Sequence, residues 1–392
     1  MSFVILIINP LLGLISIIRS FSKRVLLNKW IVILITSIVF FFLGYNIILT
    51  DMNADLTRYF AWMPNYGNIS YSALLNTAIA EKNIFVLQQF MLSFFGKLQN
   101  DNLFSGFIVS LFYSSYMYIN TTFVDKNDIN HVSSLKGDLA INFGLTIISF
   151  GWVLTSVRNP MANALIAIAI FRDLYLHKRG LTTLIFYFLG LSMHVAVLPI
   201  IICRMLVGIV FSKSFIYRIL NITIATLLIF ISIKSNIIDE FNNKIDTYGL
   251  GSNGGGFSQY AHSSFYYRMN SLFLLWLMLL GIVLLVILKR NNTSFDNDFR
   301  IFLIFTSILA IISYFAPTPL IDRYGMFVEI FFPLLLMSIN YDKISKNKKA
   351  LFYSILLITG IFGFIWQVAF LSYQIDIYSF IYKIIEGWGS LF

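Results

Sequence analysis

Runs of about twenty apolar residues recur along almost the whole chain, separated by short polar segments. An α-helix rises about 1.5 Å per residue, so about 20 apolar residues are needed to cross a hydrocarbon core roughly 30 Å thick. Because backbone groups in lipid must be hydrogen-bonded within the chain, such runs favour helices. The pattern predicts an all-α polytopic membrane protein in which residues 1–392 form a single integral membrane domain.

We predict twelve transmembrane helices from these runs. They lie near residues 2–19, 30–49, 102–123, 138–156, 161–176, 180–193, 195–211, 216–234, 271–289, 301–316, 325–340 and 350–371. The composition agrees, since 58% of the residues are hydrophobic and only 12% are charged. An ordinary soluble domain carries roughly a quarter charged residues.

Every second loop is rich in Lys and Arg, as expected if those loops are cytoplasmic. With the twelve predicted spans, 18 of the 28 Lys and Arg residues fall in the loops on one side or in the span ends next to them. We therefore interpret the net charge of +10 as a topology signal and not as a nucleic-acid-binding surface. This assignment predicts that both termini lie on the outer side.

Two outer segments, residues 50–101 and 235–270, are long enough to be functional loops. The first includes an aromatic stretch, residues 83–96, that is too short to span and indicates a re-entrant or interfacial helix. The second combines a glycine-rich tract with aromatic residues, including Tyr260 and Tyr266. The tail after residue 372 predicts a short interfacial helix that ends near Trp388.

Four arginines lie where the orientation bias or the cost of charge in lipid disfavours them. Arg158 opens the fifth span, Arg204 lies within the seventh, Arg268 precedes the ninth and Arg323 precedes the eleventh. A guanidinium donates two parallel hydrogen bonds and stays charged, which suits phosphate. Their convergence at one surface would form a site for a lipid-linked phosphate or pyrophosphate. Separate local ion pairs are the alternative.

The first outer segment begins with Asp55, Arg58 and Tyr59, which share a face if this stretch is helical. Their chemistry suits catalysis or sugar binding, and a structural Asp–Arg pair at a helix start is the alternative.

His194 interrupts an apolar stretch at the outer side. A buried imidazole must be hydrogen-bonded or face a cavity, and near neutral pH it suits the role of general base. A satisfied structural histidine is the alternative here. His262 also maps to the outer side.

The sequence carries no metal-ligand cluster and no nucleotide-binding glycine loop. We therefore expect metal-independent chemistry without a cofactor.

In its order of spans and motifs, the chain resembles the EpsG-like branch of Wzy-type bacterial polysaccharide polymerases. The matching positions are Asp51 to Tyr59, Ser156-Val157-Arg158-Asn159, the apolar run ending in His194, and Asp322-Arg323-Tyr324. The resemblance implies an enzyme with a GT-C-like membrane glycosyltransferase architecture in the bacterial inner membrane. Such an enzyme transfers a growing glycan from undecaprenyl pyrophosphate to a lipid-linked repeat unit on the periplasmic face, for O-antigen or capsule synthesis.

The resemblance and the residue chemistry together suggest roles for individual side chains. Arg158 and Arg323, with Arg204 or Arg268, would hold the pyrophosphate, and His194 or Asp55 would accept the proton of the attacking hydroxyl. Further contacts to pyrophosphate or glycan are expected from Arg58, Tyr59, Tyr260, His262, Tyr266 and Tyr324. The expected partners are an undecaprenyl-pyrophosphate-linked oligosaccharide, membrane lipids and a chain-length regulator protein, with no nucleic acid.

Three other functions fit part of the pattern. An O-antigen ligase uses the same donor with a different acceptor. A flippase or transporter needs a charged central cavity that opens to each side in turn. A lipid-phosphate transferase of the single-sugar type commonly has acidic residues in its first outer loop, where Asp51 and Asp55 lie here.

Overall fold

The computed structural model describes residues 2–23, 28–51, 54–127, 137–211, 215–234, 264–290, 295–315, 320–340 and 345–388. Within these ranges the chain is helical. The helices of the first half are α1 (Ser2–Ile8), α2 (Pro10–Ser22), α3 (Lys29–Tyr45), α4 (Asp55–Gly67), α5 (Tyr71–Ala80), α6 (Val86–Leu98), α7 (Asp101–Lys126), α8 (Gly137–Ile147), α9 (Phe150–Thr155) and α10 (Arg158–Ile170). Those of the second half are α11 (Leu181–Met193), α12 (Leu198–Val210), α13 (Phe215–Lys234), α14 (Phe265–Arg290), α15 (Asn297–Tyr314), α16 (Ile321–Glu329), α17 (Phe332–Ser338), α18 (Lys346–Gln374) and α19 (Ile377–Glu386).

Each of the twelve predicted spans coincides with helical structure. Three of the described helices, α14, α15 and α18, are long and apolar enough to cross a membrane. Four shorter apolar helices are α2, α3, α11 and α12, the last entered through the 3₁₀ turn Val195–Val197. Large apolar side chains are exposed on several of these helices, for example Phe188 on α11 and Ile358 on α18, each 67% exposed. An all-helical chain with such surfaces is compatible with a membrane protein.

Three of the predicted spans are broken in the structure. The first is a hairpin in which α1 folds back on α2, because Pro10 has no N–H for helix continuation and Asn9 caps the new helix. The Cα of Leu6 lies where a Cβ on Gly13 would be, so the two helices are in close contact. The other two breaks separate α8 from α9 and α16 from α17.

Helix α10 lies at the centre of the bundle. Every residue from Asn159 to Ile170 is buried, which is expected of a helix that is apolar on all sides. It contacts α7, α11 and α16, and it continues as a π-helix, Phe171–Tyr175.

Described residues next to several of the loops predicted to be cytoplasmic lie together at one end of the bundle, which we call the Lys126 end. There, Lys126 donates to the Tyr175 carbonyl at 3.0 Å and His177 lies 3.2 Å from Asp296. Ser22, at the end of α2, lies beside Gly137, at the start of α8.

The other end, which we call the His194 end, carries the start of α10 and the end of α11. The starts of α7, α14 and α16 and the ends of α3 and α18 are there too. At this end Lys383 donates to the Asn46 carbonyl at 3.2 Å, so α19 also belongs to it.

The first and the last described helices lie at different ends of the bundle. Ser2 Oγ lies 2.8 Å from Ser20 Oγ, near the Lys126 end, whereas α19 is at the His194 end. The break at Asn9 and Pro10 is the physical reason, since it turns one expected crossing into a hairpin.

The first outer segment forms three helices, α4 to α6, of which only α6 corresponds to the predicted re-entrant or interfacial stretch. Gly67 and Gly96 allow α4 and α6 to cross closely, since a Cβ on Gly96 would lie 2.1 Å from the Met63 carbonyl oxygen. The three helices lie against the His194 end through contacts of α6 with α11 and of α4 with α9. The tail helix α19 follows a cap by Asp376, as the predicted interfacial helix requires.

Candidate functional site

A polar cavity of about 190 Å³ opens at the His194 end, between the first outer segment and the α10–α11 pair. It is lined by Tyr66, Glu81, Asn83, Phe85, Gln88, Gln89, Arg158, Met193, His194 and Val195. Two residues singled out from the sequence, Arg158 and His194, therefore meet in one cavity although 36 positions separate them in the chain.

Arg158 is the first residue of α10, and the backbone just before it is strained. Val157 has φ = 38°, a region that a β-branched side chain rarely adopts and that costs about 1–3 kcal/mol. Val157 is fully buried, so packing holds it in this conformation. The strain fixes the direction in which α10 begins and therefore where the Arg158 side chain lies.

The Arg158 guanidinium is not fully satisfied by the protein. Its Nε is buried and has no hydrogen-bond partner among the described residues. A buried guanidinium N–H without a partner is costly, and an anion in the cavity would relieve that cost. The free N–H groups at the start of a helix add positive potential at the same place.

His194 terminates α11 in an extended conformation and is 6% exposed. Its backbone N–H donates to the Gly190 carbonyl at 3.3 Å, which closes the last turn of α11. This hydrogen bond holds the backbone of His194 in place, and the imidazole lies at the edge of the cavity.

Arg323 lies at the same end of the bundle but is not among the residues that line the cavity. Its carbonyl accepts a hydrogen bond from Asn163 Nδ2 of α10 at 2.9 Å. The neighbouring Asp322 accepts from Asn270 Nδ2 at 2.8 Å, and Asn270 in turn accepts from Trp366 Nε1 at 3.2 Å. These hydrogen bonds link α10, α14, α16 and α18.

Arg204 belongs to a separate cluster toward the Lys126 end. It donates to Asp173 at 2.5 Å and also to Asn221, while Arg179 and Tyr187 each donate to the same Asp173 carboxylate at 3.0 Å. Arg204 is not among the residues that line the cavity with Arg158 and His194. Its position on α12 places it next to the buried Asp173 carboxylate. The two residues form the local ion pair that was considered as the alternative.

Asp55 and Arg58 form an ion pair at the start of α4, as i,i+3 neighbours do on a helix. Tyr59 is 2% exposed, and its ring packs against Phe104 and Trp62 at centroid distances of 6.1 and 5.4 Å. These contacts agree with the alternative interpretation of this motif, a structural Asp–Arg pair at a helix start. None of the three residues lines the cavity.

The remaining predicted residues are spread over the His194 end. Arg268 is exposed on the first turn of α14, and Tyr266 stacks on Tyr373 at 4.9 Å. Tyr324 is buried in α16. Tyr260 and His262 lie outside the described residues.

The sequence interpretation missed the polar residues that the first outer segment contributes. Glu81, Asn83, Gln88 and Gln89 line the cavity opposite Arg158, and Gln89 Oε1 is buried without a hydrogen-bond partner among the residues described. Two adjacent glutamines inside the aromatic stretch 83–96 were the available signal.

The described residues contain no group of three or more His, Cys, Asp or Glu side chains placed to hold a metal ion. The chain matches no family model, no curated protein and no solved structure.

Proposed function

We propose that the protein is a membrane glycosyltransferase that polymerises lipid-linked repeat units, with Arg158 and His194 as its central residues. The observation that carries this proposal is the shared cavity. In it a buried arginine N–H that has no hydrogen-bond partner among the described residues lies together with a histidine. An anion-binding group beside a potential general base is what displacement of a pyrophosphate requires.

The reaction is a single displacement at an anomeric carbon. The acceptor hydroxyl of a repeat unit attacks that carbon, and the bond to the pyrophosphate oxygen breaks with its electron pair leaving on the phosphate. His194 accepts the hydroxyl proton, and Arg158 stabilises the charge on the departing undecaprenyl pyrophosphate. The product is inverted at the anomeric carbon, and no metal or cofactor takes part.

Other residues at the His194 end have supporting roles in this proposal. Arg323 and Arg268 attract the anionic donor to this surface. The amides of Asn83, Gln88 and Gln89 offer both donors and acceptors to sugar hydroxyls, and Tyr66 offers a flat ring. Arg204 has no part in it, because its guanidinium is bound to Asp173 and Asn221.

In the same proposal the helices form a GT-C-like architecture in a bacterial inner membrane, in which the first of the about twelve predicted spans is the α1–α2 hairpin and the others cross the membrane. The His194 end faces the periplasm, where lipid-linked repeat units and a chain-length regulator protein are found. The clustering of basic loops at the Lys126 end supports this orientation.

Purified protein supplied with undecaprenyl-pyrophosphate-linked repeat units tests the proposal. Wild-type protein should produce a ladder of longer glycans still attached to the carrier. R158A and H194A should leave single repeat units while inserting at the wild-type level. R300A, at the start of α15 near the Lys126 end, should polymerise normally as the control. Wild-type chain lengths with both R158A and H194A would refute the assignment. Transfer to a lipid A core without elongation would indicate a ligase.

A transporter is the second candidate, and one observation favours it. Asp322 and Glu329 are 2% and 3% exposed on α16, which is interrupted before α17. Buried carboxylates in interrupted helices often belong to transport pathways. In sealed vesicles a transporter would move the lipid-linked sugar across the bilayer without elongating it, and E329Q would stop that movement. A polymerase would elongate it in detergent solution as well.

A further inference from the structure

The last described helix, α19, exposes a stripe of large apolar and aromatic side chains. Tyr378, Tyr382 and Ile385 are 85%, 65% and 73% exposed, and Ile381 between them is 43% exposed. Their spacing of three, four and seven residues places them on one face of the helix. The opposite face packs on the bundle, where Phe380 is 7% exposed.

Hydrogen bonds from both sides hold α19 in this orientation. At the tip of the α1–α2 hairpin, Asn9 Nδ2 donates to the Ile384 carbonyl at 2.9 Å and Trp388 Nε1 donates to the Leu6 carbonyl at 2.8 Å. Lys383 donates to a carbonyl at the end of α3 at 3.2 Å. The exposed stripe therefore faces outward from a helix whose position is fixed.

The α1–α2 hairpin is too short to cross a membrane. Its longer helix, α2, has 13 residues. Such a helix advances about 20 Å, whereas a hydrocarbon core is roughly 30 Å thick. Because α2 ends at the Lys126 end, beside Gly137, the hairpin tip stops about 10 Å short of the opposite boundary. α19 lies against that tip and occupies the depth that the hairpin leaves open.

The junction of α19 with the hairpin satisfies helix-end carbonyls without water. The Leu6 carbonyl would bond the N–H of residue 10 in a continuous helix, but Pro10 has no N–H and the Trp388 indole donates instead. Backbone groups next to hydrocarbon need such internal donors, because lipid chains offer none. The surroundings of the junction are apolar, since Ile7 and Ile8 are 73% and 69% exposed.

The size and the composition of the exposed stripe favour lipid over a second copy of the chain. A helix of 10 residues is about 15 Å long and about 10 Å wide, so one face offers on the order of 150 Å². A stable interface buries roughly 800 Å² on each partner. Tyrosine rings are enriched where hydrocarbon meets headgroups, because the ring is apolar and its hydroxyl is polar.

We propose that α19 binds the boundary of the lipid leaflet at the His194 end and closes the membrane over the hairpin tip. Tyr378 and Tyr382 lie at the headgroup level, and Ile385 contacts acyl chains. Amphipathic helices at this boundary insert by about 5–10 Å, which matches the depth that the hairpin leaves open. The charges of Lys383 and Glu386 on α19 cancel, so neutral lipids suffice. The inference depends on the chain spanning a membrane and is independent of glycosyl transfer.

The test is a depth measurement by spin labelling in phosphatidylcholine vesicles. In a C203S background, a nitroxide is attached to the single cysteine of Y378C or Y382C. I358C is the control for the hydrocarbon core, because Ile358 is 67% exposed near the middle of α18. N68C is the control for water, because Asn68 is exposed after α4 in the first outer segment.

At Y378C and Y382C, the ratio of relaxation by oxygen to relaxation by a water-soluble nickel chelate should lie between the ratios of the two controls. Ratios equal to that of N68C would show that the stripe faces water and would overturn the proposal. Protection from both reagents, together with spin–spin broadening between molecules, would show that a second copy covers α19 and would overturn it as well.

Lipid charge provides a second readout. The ratio at Y382C should be the same in phosphatidylcholine vesicles and in vesicles that also contain phosphatidylglycerol. Insertion of Y382C only with the anionic lipid would contradict a boundary held by apolar contact. R158A should leave these ratios unchanged, so failure of the glycosyltransferase assignment and failure of the boundary assignment give different results.

Discussion

Arg204 and Asp173 form a buried ion pair at 2.5 Å between α12 and the π-helix that follows α10. The pair joins two neighbouring parts of the bundle at its Lys126 end. Asp173 is 3% exposed and also accepts from Arg179 and Tyr187, so removal of Arg204 would leave a buried carboxylate short of its main partner.

We expect R204A to destabilise the protein by about 1–3 kcal/mol, because the buried Asp173 carboxylate loses one charged partner and keeps Arg179 and Tyr187. R58A removes an exposed pair and should cost less than about 1 kcal/mol. Unfolding in detergent followed by tryptophan fluorescence measures both. Equal losses for the two variants would show that burial does not distinguish the pairs.

A second carboxylate in the Arg158 cavity, which already contains Glu81, should inhibit the protein. Q89E would add a negative charge to the cavity wall, where it would repel an anionic substrate. We expect polymer formation to fall about a hundredfold, as for the loss of one charge-stabilising donor.

The control for this prediction is Q99E. Gln99 follows α6, is exposed and lies away from the cavity. It should leave both stability and polymer length unchanged. Full activity of Q89E would show that the substrate anion does not use this cavity.

Close helix contact at Gly44 and Gly106 should make both positions sensitive to size. G106L would drive a side chain into the Phe41 carbonyl of α3, and overpacking of this kind costs about 1–3 kcal/mol. G180A is the control, since nothing lies within 4 Å of a Cβ at Gly180. Melting temperatures should fall for G106L and stay constant for G180A. A G106L protein with an unchanged melting temperature would contradict the α3–α7 contact.

Asn9 has two structural roles at the hairpin. Its side-chain oxygen accepts from Leu11 and Leu12 N–H groups at 3.1 Å, and its Nδ2 donates to the Ile384 carbonyl at 2.9 Å. N9A should therefore cost about 1–2 kcal/mol, toward the upper range for a helix cap. N28A removes one cap contact, to Trp30, and should cost less in the same unfolding measurement. A larger loss for N28A would argue against the link between the hairpin and α19.

The sequence predicted the positions of the helices but not their interruptions. Hydropathy averages over about twenty residues, so it registers apolar length and is insensitive to a two-residue break such as Asn9-Pro10. The interruption between α16 and α17 precedes Pro333, which fills an early position of the new helix. That proline was visible in the sequence, although apolar neighbours on both sides concealed its effect.

The site was predictable in part. Arg158 and His194 stood out because each is a polar residue at the edge of an apolar run, and the structure brings them into one cavity. For Arg204 the local ion pair was only the alternative, since no carboxylate partner was identified from the sequence. Asp173, also inside an apolar run, was the signal that could have identified that pair. The glutamines of α6 were missed because they become a cavity wall only when α4 to α6 fold over α11.

The hairpin of α1 and α2 changes the number of times that the chain passes from one end of the bundle to the other. A segment that returns to its starting side adds no net traverse, so Ser2 and α19 are separated by an odd number of passages through the bundle. A membrane that encloses the bundle between its two ends would hold the termini in opposite compartments. A reporter domain that matures in only one compartment would then be active on one terminus and silent on the other.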